Sequence, residues 1–271
     1  MLELGCRCLN IAHRGARSLA PENTLAAADV ALKAGADMWE LDVNLTRDGQ
    51  PVVVHDQFLA RTSNAAQAYP NRQPWRVRDF SLEEIQALDF GAWFVRSDPF
   101  GQIRSRAVSK ELIESYPGQA APTLFQALEF TKVHDWLVNL EIKDQQDEQG
   151  DSGIAAKVTR MVQELEMSGQ VLISSFNHQY LKQVRALAPQ VALGALVDRI
   201  LPDPITLLKD IGAQALHARW NTLSAGRIQA LGQRGIRVLV WTVNQPVQMR
   251  AYYRAGAAGI ITDFPQLFPA L

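Results

Sequence analysis

"LNIAHRGARSLAPENTLAAADVALKAGADMWELDVNL", residues 9–45, carries the pattern that decides the fold. A short apolar run, "LNIAH" (9–13), leads into a stretch rich in turn-forming residues. Next comes "TLAAADVALKAG" (24–35), in which Thr24 is placed to cap a helix and Gly35 to end it. A second apolar run, "MWELDVNL" (38–45), follows at once. Strand, helix and strand in this order make a βαβ unit, and the alternation continues to the end of the chain. Further strands are expected at 136–143, 170–176, 191–197, 213–219, 236–244 and 257–263. Helices are expected at 122–131, 153–167, 178–187, 204–210, 222–233 and 245–255. Eight strands, each with a helix or helix-like tail, point to an α/β protein of the (β/α)₈ TIM-barrel type. An open, doubly wound sheet is the alternative.

The bulk properties fit one large α/β domain spanning 1–271: 271 residues, 47% hydrophobic, 20% charged and a net charge of −1. With so little net charge and no basic stripe, nucleic acid is not an expected partner. Cys6 and Cys8 are too few for a zinc site and too close together to staple the fold, so reduced thiols are expected. The opening "MLELGCRCLN" has no basic segment followed by a long apolar one. No apolar run approaches the roughly 20 residues that span a bilayer. The expectation is a cytoplasmic protein without stable membrane insertion.

Two stretches break the rhythm. "TRDGQPVVVHD" (46–56) places Asp48–Gly49 between apolar runs, a hairpin signal, so 51–55 should return antiparallel to the second strand. With Asp48 and Gly49 as a two-residue turn, Arg47 pairs with Gln50 and Asp42 falls opposite His55. Residues 57–118 fit no βα unit and are read as an inserted subdomain after strand 2. It has one expected helix, 81–89, opened by a Ser81/Glu84 capping box.

In a barrel, chemistry gathers where strands end. The ionisable residues at expected strand ends are His13, Arg14, Glu40, Asp42, Glu141, Lys143 and Asp263. Glu40 and Asp42 alternate along one strand and share a face; the hairpin register adds His55. Such a group is costly unless a cation or a substrate compensates it, and a divalent metal is favoured over a purely structural network. Glu141 and Lys143 could form an ion pair with each other, or supply a third metal carboxylate beside a phosphate-binding lysine. Carboxylate oxygens suit Mg²⁺ or Ca²⁺ better than zinc. A histidine that moves a proton, an arginine that grips an anion and a nearby cation together fit cleavage of a phosphate ester.

"HRGARSLAPENT", "ELDVNLTRDGQPVVVHD", "LEIK", "SSFN", "WTVN" and "TDFP" occur in an order that resembles the glycerophosphodiester phosphodiesterase family across essentially the whole chain. The resemblance implies a (β/α)₈ barrel with an insertion after strand 2. It implies metal-dependent hydrolysis of glycerophosphodiesters, small-molecule substrates, to sn-glycerol 3-phosphate and an alcohol. It further implies His13 and His55 as the catalytic pair, Glu40, Asp42 and Glu141 as metal ligands, and Arg14 and Lys143 as phosphate contacts. Phe176 and Trp241 resemble the pocket's apolar walls. The pattern departs at Ala60, where many relatives carry an acidic residue, and at 95–120, which is longer and more polar than the usual link. Both departures bear on the alcohol side of the substrate.

A phospholipase C/D-like enzyme acting on lysophospholipid or phosphoinositide headgroups is the second reading. An exposed apolar rim formed by Trp75, Trp93, Phe94 or Phe100 would favour it, although packing against the barrel is the expected use of these aromatics. A binding module without turnover is the third, and the intact set of histidines and carboxylates speaks against it. Other polar residues are expected in supporting roles: Glu22 orienting His13 or Arg14, Asn23 and Thr24 fixing the first loop, and Asp263 behind the site. His134 is expected at the surface, His178 at the start of a helix, and His217 in the core or at the rim.

Overall fold

The computed structural model describes residues 7–145 and 153–270. Nine strands form one sheet: β1 (Leu9–Ala12), β2 (Met38–Leu45), β3 (Pro51–Val53), β4 (Leu137–Ile142), β5 (Val171–Ser175), β6 (Ala192–Val197), β7 (Ala215–Arg219), β8 (Arg237–Trp241) and β9 (Gly259–Thr262). All neighbouring pairs are parallel except β2–β3, and β1 pairs with both β2 and β9, so eight strands close into a barrel. The closure rules out the open sheet. Cys8 is buried and free among the described residues; Cys6 lies outside them.

Helices Leu25–Lys33, Leu124–Val133, Ile154–Glu164, His178–Leu187, Pro204–Ile211, Ala225–Gln233 and Pro246–Arg254 surround the barrel. Thr24 caps the first helix by accepting from Ala27 N at 3.2 Å. The strands bury both faces, as parallel strands under helices must. On β2 all eight residues are buried. Leu41, Val43 and Leu45 pack beneath the helices, which leaves Glu40 and Asp42 for the interior. The barrel floor is filled by Leu9, Ile11, Met38, Leu172, Leu239 and Ile261, giving a packed base beneath a polar mouth.

The hairpin differs from the expected one. Arg47, Asp48 and Gly49 form a three-residue loop, in which Thr46 N donates to Gln50 O at 3.1 Å and Gly49 N to Thr46 O at 2.9 Å. Val43, Asn44 and Leu45 pair with Val53, Val52 and Pro51, one residue away from the expected register. The strand ends at Val53, and Val54 N donates to Asp42 O. Asp42 is therefore not opposite His55. Gly49 takes φ 69°, the left-handed conformation that closes a three-residue hairpin loop. Contacts remote in sequence fix this choice: Arg47 N donates to Phe80 O at 2.8 Å, and Asp48 accepts from Leu82 N at 3.0 Å.

Residues 57–118 contain more helix than expected. The expected helix is present at Leu82–Gln86 with its capping box, joined by short helices at Ala65–Ala68, Ala92–Ser97 and Lys110–Ser115. Leu59, Val77, Phe80, Ile85, Leu88 and Phe90 form a separate apolar cluster with Val52 and Val54. Phe94 is fully buried, Trp93 stacks on it edge to face, Phe100 does the same with Phe264, and Trp75 donates to Tyr69 O. Trp75, Trp93 and Phe100 remain half-buried in these contacts.

Candidate active site

The mouth of the barrel is built first by the turn after β1. Arg14 (φ 55°) and Gly15 (φ 81°) both adopt the left-handed conformation. A Cβ on Gly15 would meet Ala27 C at 2.6 Å, so the position needs glycine on two counts. The turn folds Arg14 back over β2. Its backbone N donates to Glu40 Oε2 at 2.9 Å, and its Nη1 donates to Glu22 Oε1 at 2.8 Å. Its Nε lies 3.3 Å from Asp42 Oδ2, an ion-pair distance without hydrogen-bond alignment.

The β2–β4 register sets Asp42 beside Glu141, and Glu40 one step below on the same face. Glu40, Asp42 and Glu141 each offer an oxygen within 4.8 Å of the others. Lys143 Nζ lies 2.6 Å from Glu141 Oε1 and 3.4 Å from Asp42 Oδ1. Asn23, expected only to fix the first loop, also donates from Nδ2 to Asp42 Oδ2 at 2.9 Å. Burial, reinforced by Asp42 and Glu141, pushes the Glu40 carboxyl well above the ordinary range. Burial and Asp42 likewise raise Glu141. Burial would raise Asp42 too, but Lys143, His55 and Arg14 outweigh it and hold that carboxyl down. One buried oxygen, Asp42 Oδ1, has no hydrogen-bond partner. Three gathered carboxylates with an unsatisfied oxygen fit a hard divalent cation such as Mg²⁺ or Ca²⁺.

Both histidines come to this mouth. His55 lies beyond the end of β3, yet it is close enough to the carboxylates for its charge to lower both Asp42 and Glu141. The chain turning after Val54, rather than strand pairing, brings it there. His55 Nδ1 meets Asp56 Oδ1 at 2.6 Å, and His13 Nδ1 meets Asp263 Oδ1 at 2.6 Å. A carboxylate at Nδ1 holds the proton on that nitrogen and leaves the Nε2 lone pair available. Burial and Arg14 lower the His13 pKa against the opposing pull of Asp263. Asn244 fixes Asp263 in turn, donating from Nδ2 to Oδ2 at 2.7 Å.

Asp263 is held at about 2, against 3.8 for a free side chain: burial would raise it, but His13 and Arg17 prevail. A depressed acid contributes stability that is fully present above pH 3.8 and lost as the pH falls through about 2. Asp263→Asn should therefore be less stable than the parent chain near neutrality, and the gap should narrow through that acid window. Urea unfolding at a series of pH values checks this; a gap independent of pH would contradict it.

Phe176, 43% exposed, stands edge to face with Trp241 at 5.6 Å. A cavity of about 260 Å³ opens beyond Phe176, lined by His178, Leu196, Val197, Leu201 and Leu207. A larger one, about 740 Å³, lies near Arg7, Arg237 and Arg254, where the three-carboxylate cluster takes no part. Of the remaining histidines, His134 is exposed and His178 opens its helix as expected. His217 is buried in the core with its ring against Gly194, and burial drops its pKa to about 3. Glu22 binds Arg14 but not His13. Asp56, Arg17, Arg61 and Asn244 were not singled out by sequence; only Asp56, adjacent to His55, had a local signal.

Fold and mouth together define a class: (β/α)₈-barrel proteins with a three-carboxylate cluster and flanking imidazoles where the strands end. The chain belongs to one family of enzymes within it, the glycerophosphoryl diester phosphodiesterase family, whose sequence profile matches residues 13–267. It is 35% identical over 263 residues, 96% of each chain, to a glycerophosphodiester phosphodiesterase of Caldanaerobacter subterraneus. Among solved structures, it superposes with a TM-score of 0.78 on an Oleispira antarctica phosphodiesterase in complex with the product sn-glycerol 3-phosphate. The identity there is 27%, covering 96% of this chain and 94% of that one. A glycerophosphodiester phosphodiesterase of Agrobacterium tumefaciens matches at TM-score 0.73 and 28% identity, over 96% and 98% of the two chains.

Proposed function

We propose that the chain hydrolyses glycerophosphodiesters to sn-glycerol 3-phosphate and an alcohol, with a divalent cation held by Glu40, Asp42 and Glu141. The observation that carries this reading is the pairing of two carboxylate-anchored imidazoles with a three-carboxylate cluster at one barrel mouth. The Oleispira relative, in complex with that product, supports the same substrate class.

Arg14 and Lys143 grip the non-bridging phosphate oxygens, as guanidinium and ammonium groups do. A bound cation supplies charge neutralisation at those oxygens. One of His13 and His55 takes a proton at Nε2 from the attacking nucleophile, either water or the glycerol 2-hydroxyl; the other gives one to the departing alcohol oxygen, and where the hydroxyl attacks, water then opens the cyclic phosphate. Holding Nδ1–H against Asp263 and Asp56 turns each Nε2 toward the exchange, as a lone pair on the base and, with the ring doubly protonated, as an N–H on the acid. Phe176 and Trp241 wall the pocket and exclude water from one side. Among the described residues no helix is long and apolar enough to cross a membrane. A cytoplasmic location is inferred from the sequence reading alone.

The test is product identity. With glycerophosphocholine as substrate and Mg²⁺ or Ca²⁺ present, glycerol 3-phosphate and choline should accumulate in equal amounts. Phosphocholine and glycerol would place the cut on the other ester bond and refute the assignment.

A further inference from the structure

The two imidazoles stand on different loops, after β1 and after β3, yet their carboxylate partners are joined through one side chain. Asp263 Oδ1, which binds His13, lies 3.3 Å from Arg17 Nη1. Asp56, which binds His55, accepts from Arg61 Nε at 2.5 Å. Both arginines converge on Glu22: Arg17 Nε donates to Oε2 at 2.8 Å, and Arg61 donates to Oε2 at 3.0 Å and to Oε1 at 2.6 Å. Arg14 Nη1 supplies a fourth donor, to Oε1 at 2.8 Å. Four N–H groups thus fill the roughly four acceptor sites of a carboxylate.

Glu22 is 4% exposed, and its three arginine partners hold its carboxyl well below the ordinary range against the effect of burial. Burying so many charges is a poor way to gain stability, because desolvation consumes most of the attraction. What a saturated ionic hub supplies well is fixed geometry, since every member's position is set by several others. The resulting chain of contacts runs His13–Asp263–Arg17–Glu22–Arg61–Asp56–His55.

We propose that Glu22 is a positioning residue that, through Arg17 and Arg61, holds both imidazoles in one orientation with Nδ1 on its carboxylate, so that disturbing one arm disturbs the other. This rests on the assignment of His13 and His55 to proton transfer. Glu22, Arg17 and Arg61 act through the two aspartates and need no contact with the reacting atoms.

The experiment is a double-mutant cycle of Arg17→Gln and Arg61→Gln on glycerophosphocholine, joined to nitrogen-15 spectra of the histidine rings. Each single variant should lower kcat by about 10–100-fold, the scale for residues that orient ligands from behind, with a smaller change in KM. The double variant should lose little more than the worse single, because both act through one carboxylate. Arg61→Gln should alter the ring signals of His13 as well as His55, and Arg17→Gln those of His55 as well as His13. Glu22→Asp should recover part of what Glu22→Gln loses. If Glu22→Gln does not fold, the arginine cycle still decides, since Arg61 is 41% exposed at the side chain. Effects that multiply independently in the double variant, or ring perturbations confined to the nearer histidine, would each overturn the proposal. A parent enzyme without phosphodiesterase activity would refute the functional reading instead, and the ring spectra would still test the hub.

Discussion

His13→Ala and His55→Ala should each lower kcat on glycerophosphocholine by about 10²–10⁴, the scale for a lost general acid or base. Neither ring lies in the apolar core, and each is tied mainly to one carboxylate, so both variants should fold and melt cooperatively. The leaving group sharpens the test. Choline is a poor leaving alcohol and needs a proton as it departs; nitrophenol is not and does not. The variant that has lost the acid should recover much of its rate on a nitrophenyl diester, and the variant that has lost the base should not. Near-parental kcat on glycerophosphocholine in either variant would remove that histidine from the mechanism.

The carboxylates carry the second large effect. Glu40→Gln and Asp42→Asn keep size and hydrogen-bonding capacity but remove a negative charge from the three-oxygen cluster. Charge neutralisation by a bound cation is worth several kcal/mol, so losing it should slow turnover by about 10²-fold or more, at about 1.4 kcal/mol per tenfold. Asp42→Asn should be the more disruptive to the fold. Lys143, Arg14 and Asn23 all face that carboxylate, and its removal leaves two buried cations with one counterion fewer. Glu40→Gln retains a side-chain oxygen for Arg14 N and so separates loss of metal from loss of fold.

Much of the architecture was legible because it is periodic. Each barrel strand is a short apolar run between turn residues, and several outer helices show a cap or stop, as at Thr24 and Gly35. The shared face of Glu40 and Asp42 follows from strand alternation alone. Glu141 is different: only the β2–β4 register, set across the long intervening stretch 46–136, brings it beside Asp42. The hairpin misled because Asp-Gly suits loops of two or three residues, and the choice between them rests on Phe80 and Leu82, remote in sequence. His55 reaches the site in spite of the changed register, because it leaves the ladder before pairing could turn it away. The short helices within 57–118 have too few residues to show a period. The hub around Glu22 has no local signature either. Arg17 and Arg61 are ordinary charged loop residues until the fold brings them to one carboxylate.

The decisive measurement is the rate of glycerol 3-phosphate release from glycerophosphocholine by exhaustively chelated protein, before and after titration with Mg²⁺ or Ca²⁺. The chelated protein should be folded and inactive. Activity should return on saturation with one of the two ions, and Glu40→Gln should not respond at the same ion concentration. Full turnover by the metal-free protein would contradict the assignment of Glu40, Asp42 and Glu141 as the ligands of a catalytic cation.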